Sequence, residues 1–345
     1  MGGAERATLV LAKAFHADIY TTTYNPQVVY PEFEILKVFN NPLSSLKLQW
    51  RGNILRSIQG GLVQTESVRK FRKTDLSHYD LVITIGQYAK HIPVYNPGRR
   101  IHYELSVKSN YRFEGLFKPW VMYMKKLDYE AIRQIRNLVG NSENTREQIK
   151  RFYQRDAEVI YPAVKIKMFR TGKAEDYFLA IERISPEKNI ETQIEAFRRV
   201  PKQKLLIAGS PRQSHIPYFH ELQDMAPPNV TFLGPVSDSE LVDLYSHAKA
   251  AVQTHPNEDL GRIPIEAMAS GKPCIAVNAG GFRETIIHGK TGILVDPPYA
   301  ENLGQAIRDF KDADFNQEDC LARAQLFSEE IHIEKMNNFI SRLGC

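Results

Sequence analysis

Cysteine is scarce in this chain: Cys274, Cys320 and Cys345 are odd in number, far apart and unaccompanied by ligand-spaced histidines. That points away from a disulfide framework and from a zinc site, and it fits a reducing compartment. Long apolar runs are missing as well. None approaches the roughly 18–20 residues that span a bilayer, and the N-terminus lacks the charged-then-apolar pattern of a secretory signal, so the expected location is the cytoplasm. No low-complexity tract is present; with 43% hydrophobic and 25% charged residues the composition is globular, and 345 residues suit two domains. Charge is present but uneven. Residues 1–163 hold 24 Lys+Arg against 15 Asp+Glu, a net of +9, whereas residues 164–345 hold 21 against 25, a net of −4. The basic half is either an ordinary solvated surface or one that meets an anionic partner, such as a phospholipid surface or a phosphorylated acceptor.

From residue 18 onward, short β-rich runs alternate with helical patterns, which predicts parallel α/β sheets. Strands are expected at Asp18–Thr22, Phe33–Val38, Leu81–Ile85, Arg100–Glu104, Leu138–Gly140 and Glu158–Tyr161. A second set follows at Tyr177–Ile181, Lys204–Ala208, Val230–Leu233, Ala250–Gln253, Cys274–Val277 and Gly292–Val295. Helical patterns lie between them, and two Rossmann-like units in series follow. Pro162 and the aperiodic stretch through Arg170 mark the junction. The expected domains are 1–163 and 164–316, with helices in 317–345 crossing back to the first.

The most informative stretch is Asn257 to Pro273, which reads strand, loop, short helix, strand. Glu258 and Gly261 sit on the loop, Pro264 and Glu266 in the first helical turn, Gly271 at the helix end. Amides from Leu260 through Gly261 and Arg262 to Ile263 are placed to receive phosphate oxygens at a positive helix end, and glycine lets the backbone come close. A carboxylate at Glu266 can take both hydroxyls of a ribose, and Glu258 can reach a sugar beyond a diphosphate. Alone, either acid reads as a helix-terminus or surface residue; their spacing and the flanking glycines and prolines favour a site.

These residues resemble the donor motif of the family-4 retaining glycosyltransferases of the GT-B fold, in which two glutamates stand with seven residues between them. The match runs from about residue 138 to 298 and more loosely back to residue 2. The resemblance implies two Rossmann-like domains with parallel sheets facing a central cleft, Glu258 on the transferred sugar and Glu266 on the ribose. Leu260 replaces the usual phenylalanine, and Arg262 stands where an aliphatic residue is usual, either neutralising phosphate or pointing to solvent. Arg183 and Lys188, five apart across a proline turn, suit an anion at a strand end. By the resemblance they hold the donor diphosphate and stabilise its departure without a metal. No strand-end Asp-x-Asp is found, and Asp238-Ser239-Glu240 reads as a helix N-terminus. Neither metal nor cofactor is expected.

By the same resemblance Gly280 and Gly281 turn near the donor sugar, and the turns holding Gly209 and Val236 face the nucleobase. Gly2 and Gly3, in Gly-Gly-Ala-Glu-Arg, match a loop facing the donor phosphates. The strand that precedes that loop in the family is absent here, which leads to the expectation of an upstream start. The family's acceptor-side histidine falls near Leu105, leaving His102, inside a strand, as a weak candidate. From Arg99 to Lys126, seven Lys/Arg interleave with Tyr111, Phe113, Phe117, Trp120 and Tyr123, a pattern that suits either a helix core or contact with an anionic membrane. No nucleic-acid recognition module is visible.

The expected activity is therefore transfer of a hexose from GDP-mannose or a UDP-hexose to a glycan or lipid-linked acceptor, at the cytoplasmic face of a membrane. Rivals are a sugar-nucleotide epimerase, a phosphorylase, and a non-catalytic subunit of a glycan-assembly complex.

Overall fold

The computed structural model describes residues 3–25, 29–43, 53–93, 95–107 and 118–344. The chain divides into two compact units, Met1–Ala163 with His332–Cys345, and Val164–Ile331.

In the first unit the order is α1 (Gly3–Ala14), β1 (Ile19–Thr21), β2 (Val38–Asn40), α2 (Asn53–Arg72), β3 (Val82–Ile85), β4 (Arg100–Glu104), α3 (Lys118–Gln134), β5 (Asn137–Gly140), α4 (Glu143–Tyr153) and β6 (Glu158–Val159). All pairings are parallel. Among the described residues, strands β3-β4-β5-β6 form one sheet and β1 and β2 a separate one. Strand β4 is buried along its whole length, as expected of a strand covered on both faces. The expected strand at Phe33–Val38 begins later than its apolar residues suggest. Pro31 opens a single 3-10 turn through Ile35 that buries Phe33, and extended pairing starts only at Val38.

The second unit runs β7 (Phe178–Ile181), α5 (Ile190–Arg198), β8 (Leu205–Ala208), α6 (Ile216–Met225), β9 (Val230–Gly234), α7 (Asp238–His247), β10 (Ala251–Gln253), α8 (Arg262–Ala269), β11 (Cys274–Val277), α9 (Phe282–Thr285), β12 (Gly292–Val295), α10 (Ala300–Asp309) and α11 (Gln317–Gln325), and ends within α12 (Glu329–Ser341), whose residues from His332 onward belong to the first unit. Its parallel sheet has the order β12-β11-β10-β7-β8-β9. Phe178, Phe197, Ile207, Val252 and Ile275 fill the core with no solvent exposure.

The tail parts in the middle. Helix α11 packs on α8, burying Cys320 and Ala324, and Arg323 donates to the carbonyls of Thr285 and Glu284, so this segment belongs to the second unit. Only from His332 does the tail join the first unit, not from residue 317 as expected. Met336 and Phe339 bury there beside Leu11, Ile101 and Val139, and the His332 ring donates to the Tyr161 carbonyl at 2.7 Å. No helix among the described residues is long and apolar enough to cross a membrane.

Candidate active site

Strands β7 and β10 are neighbours, but the chain winds outward from them in opposite directions, to β8 and β9 on one side and to β11 and β12 on the other. The loops that follow such a pair diverge to opposite faces and leave a crevice beyond the strand ends, where open parallel sheets bind ligands. Here those loops are Glu182–Asn189 and Thr254–Gly261, which carry Arg183, Lys188 and Glu258.

Lys188 Nζ lies 2.9 Å from Glu258 Oε2, and both side chains are only partly exposed. Burial opposes the ammonium charge, but Glu258 and Glu182 more than offset it and hold the Lys188 pKa above its ordinary value. Lys188 is also fixed from behind. The Thr254 hydroxyl lies 3.0 Å from the Lys188 carbonyl and 2.9 Å from that of Asn189. The Gln193 amide in turn donates to Thr254 Oγ1 at 3.0 Å and to Glu182 Oε1 at 3.2 Å. Glu182, 4% exposed, is pushed up to about 8 by that burial, against the pull of Lys188. Arg183 shares the loop but not the pair: its guanidinium bonds Glu187 at 2.9 Å and is half exposed.

Gly261, whose φ of 86° is left-handed, caps the start of helix α8. Arg262 reaches along the helix to Glu266 Oε1 at 2.7 Å and pairs with that acid. Tyr245 on α7 donates to the other oxygen, Oε2, at 3.1 Å. The buried Glu266 carboxylate is thus gripped from both sides, with lone pairs left for further donors. Leu260 is buried and Ile263 half-buried beside it. The turn after β11 closes this wall. Gly281 donates its N–H to the Glu258 carbonyl at 2.8 Å, and a Cβ there would stand 2.3 Å from Leu260 Cα, so only glycine fits. Gly280 comes as close to the Glu258 backbone.

Gly209, beyond β8, donates to the Gly234 carbonyl at 2.8 Å, joining the two turns expected at the nucleobase. Val236 is half-buried just ahead of α7, whose start is a capping box between Ser237 and Glu240. Gly3 opens α1, and Gly2 lies outside the described residues.

His102 is fully enclosed in β4, between Thr84 Oγ1 at 2.9 Å and Glu104 Oε2 at 3.2 Å, and burial lowers its pKa. It therefore does not touch a ligand, and its candidacy is corrected to a structural role. Tyr111, Phe113 and Phe117 lie outside the described residues; Trp120 donates to Thr65 Oγ1 at 3.1 Å, and Tyr123 is exposed. Sequence reasoning missed Glu182, Gln193, Thr254 and Tyr245. Glu182, at a strand end beside Arg183, was the one with a signal. The other three lie on separate elements brought in only by folding.

Residues 165–326, less than half of the chain, match the family described as Glycosyl transferases group 1. This corrects the assignment to family 4 made from the motif: the family pattern that matches is group 1. Mouse alpha-1,3/1,6-mannosyltransferase ALG2 is 27% identical over 352 residues, covering 86% of this chain and 82% of that protein. The D-inositol 3-phosphate glycosyltransferase of Mycobacteroides abscessus is 26% identical over 200 residues, covering 52% of this chain; the matched stretch spans 45% of that relative's own length. Among solved structures, Anabaena Alr3699/HepE in complex with UDP superposes with a TM-score of 0.75 at 20% identity, over 99% of this chain and 96% of that one. Sucrose-phosphate synthase from Thermosynechococcus elongatus does so with 0.75 at 21% identity, over 98% and 91%. The fold is GT-B: two Rossmann-like α/β domains with parallel sheets.

Proposed function

We propose that this glycosyltransferase-family enzyme of the GT-B fold binds a nucleoside-diphosphate hexose beyond the ends of β7 and β10. It then transfers the hexose to a hydroxyl of a glycan or lipid-linked acceptor. The observation that carries the reading is the 2.9 Å pair of Lys188 with Glu258 at the point where the sheet changes direction.

In this reading Lys188, joined by Arg183 once it leaves Glu187, neutralises the departing diphosphate, and fixed cations do this without reorganising during the reaction. Glu258 accepts hydroxyls of the hexose. Because its carboxylate is held by the cation that meets the phosphates, it lies on the leaving-group side of the sugar, which favours transfer with retention over attack from the opposite face. Glu266, steadied by Tyr245 and Arg262, takes the ribose hydroxyls, and the amides of Leu260 to Ile263 take phosphate oxygens. Gly280 and Gly281 shape the sugar pocket, and the turns of Gly209 and Val236 face the base. The names of the relatives support a hexosyl donor: one is a mannosyltransferase, and one structure holds UDP. GDP-mannose and the UDP-hexoses are the donors to try first.

Residues 1–163 take the acceptor in the same proposal. Helix α3 exposes Met122, Tyr123, Lys125 and Lys126 together, a mixed apolar and basic surface that suits the cytoplasmic face of an anionic membrane. Sedimentation with phosphatidylserine vesicles, against phosphatidylcholine, tests that part: equal binding to both removes it.

A panel of UDP- and GDP-hexoses, scored by thermal shift and by donor turnover with the anomeric proton followed by NMR, tests the whole. One donor is expected to stabilise the fold and to be turned over with retention. Stabilisation without turnover of any donor would replace the enzyme by the non-catalytic subunit, and release of an epimerised sugar by the epimerase.

A further inference from the structure

Charge is out of balance at the end of β7. Glu182 and Glu258 are two carboxylates around one ammonium, that of Lys188, which pairs with Glu258 at 2.9 Å. Among the described residues Glu182 has no cation within hydrogen-bonding distance; Arg183 beside it is half exposed and paired with Glu187. Glu182 is nevertheless more enclosed than Lys188 or Glu258, at 4% exposure. A buried carboxyl group in excess over the buried cations is costly to keep ionised.

Its immediate surroundings suit the acid better than the anion. The Gln193 amide donates to Oε1 at 3.2 Å, whereas Oε2 is buried and accepts no hydrogen bond among the described residues. Gln253 is near, but its amide donates to the Val252 carbonyl at 2.9 Å. An ionised carboxylate has room for about four donors, and here it would find few. Burial accordingly pushes Glu182 up to about 8. Tyr218 on α6 and Cys274 on β11 also feel its charge, but burial pushes both well above their ordinary values, so they stay neutral at pH 8. His255, 6% exposed, lies 4.0 Å from the Glu258 carboxylate, and as an imidazole it is the competing proton carrier.

An anionic ligand tips this balance. With Glu182 ionised, the group of two acids and one ammonium carries a net negative charge where a diphosphate must arrive; with Glu182 protonated it is neutral. We infer that Glu182 is a positioning residue of the donor site, taking a proton from solvent as a nucleoside diphosphate reaches Lys188 and so freeing that ammonium for the phosphates. The loop need not move while the charge changes. Gln193 bridges Glu182 to Thr254, and the Thr254 hydroxyl holds the Lys188 and Asn189 carbonyls. The inference rests on the donor reading above.

The test is calorimetric titration of the full chain with the UDP- and GDP-hexoses, at pH 8 in two buffers of different ionisation enthalpy, which counts the protons taken up. Sugar nucleotides serve because their phosphates do not titrate near pH 8. A tenfold tighter hold on the Glu182 proton gives an uptake of about 0.4 proton at pH 8 and an affinity about threefold weaker at pH 8.5 than at pH 6.5. Glu182→Gln should lose the uptake and bind alike at both pH values, whereas a merely structural role would weaken binding at both and leave the proton count alone. His255→Gln should keep the uptake. No uptake by the parent, uptake that Glu182→Gln retains, or uptake that His255→Gln abolishes overturns the inference and leaves the donor reading standing. If no sugar nucleotide binds the parent, the donor reading falls and the inference with it. Should Glu182→Gln not fold, the parent's proton count and its pH dependence, set against His255→Gln, decide.

Discussion

Lys188 and Glu258 come from loops seventy residues apart, and the chemistry proposed for them depends on their 2.9 Å approach. Lys188→Ala and Glu258→Gln are each expected to lower donor turnover roughly 10²–10³-fold, the range for removing one group that stabilises developing charge. Single-turnover assays at saturating donor check this; a fall under about threefold in both would remove the pair from the reaction. Glu182 makes a different prediction. Its folded pKa, near 8, lies above the ordinary carboxyl value of 4.5, so the folded state keeps a proton that the unfolded chain releases. Its contribution to stability is complete below about pH 4.5 and declines as pH rises towards 8. Glu182→Gln keeps the acceptor for Gln193 and removes the titration. The variant should therefore match the parent in urea denaturation at pH 5 and exceed it by about 1–3 kcal/mol at pH 8. An equal difference at both pH values would mean that burial is not what holds the proton. Glu258, Glu266 and Arg183 stood out in the sequence by their spacing, but the engagement of Arg183 with Glu187 did not. Tyr245 was invisible because nothing near α7 marks it as a partner of Glu266.

At the scale of elements, the turn after β11 is tightly constrained. Gly281→Ala puts a methyl group 2.3 Å from Leu260 Cα, so the Glu258 loop must move. A loss of about 1–3 kcal/mol in urea denaturation is expected, the usual cost of overpacking, together with weaker donor binding. Retained stability and retained binding would show that the loop yields without consequence. Most strands of the three sheets were readable, Cys274–Val277 and Arg100–Glu104 to the residue, because fully buried parallel strands present short apolar runs between turn residues. The failures were local competitions. Pro31 diverted an apolar stretch into a 3-10 turn, and the four-residue α9 is too short to show a helical period.

For the whole molecule, two units with separate cores should melt as two transitions. A nucleotide held by the second unit alone should raise one of them, by about 2.7 kcal/mol at a hundred times its dissociation constant, and leave the other in place. Scanning calorimetry with UDP or GDP reads this, and an equal shift of both would show that the units unfold together. The division of the tail has a temporal side. Residues 164–331 are contiguous, so during synthesis the second unit has its whole core once Ile331 has been added. The first unit, begun earlier, waits past that point for Met336 and Phe339. The half begun first is thus completed after the other, and until then its apolar face is what a chaperone would find uncovered.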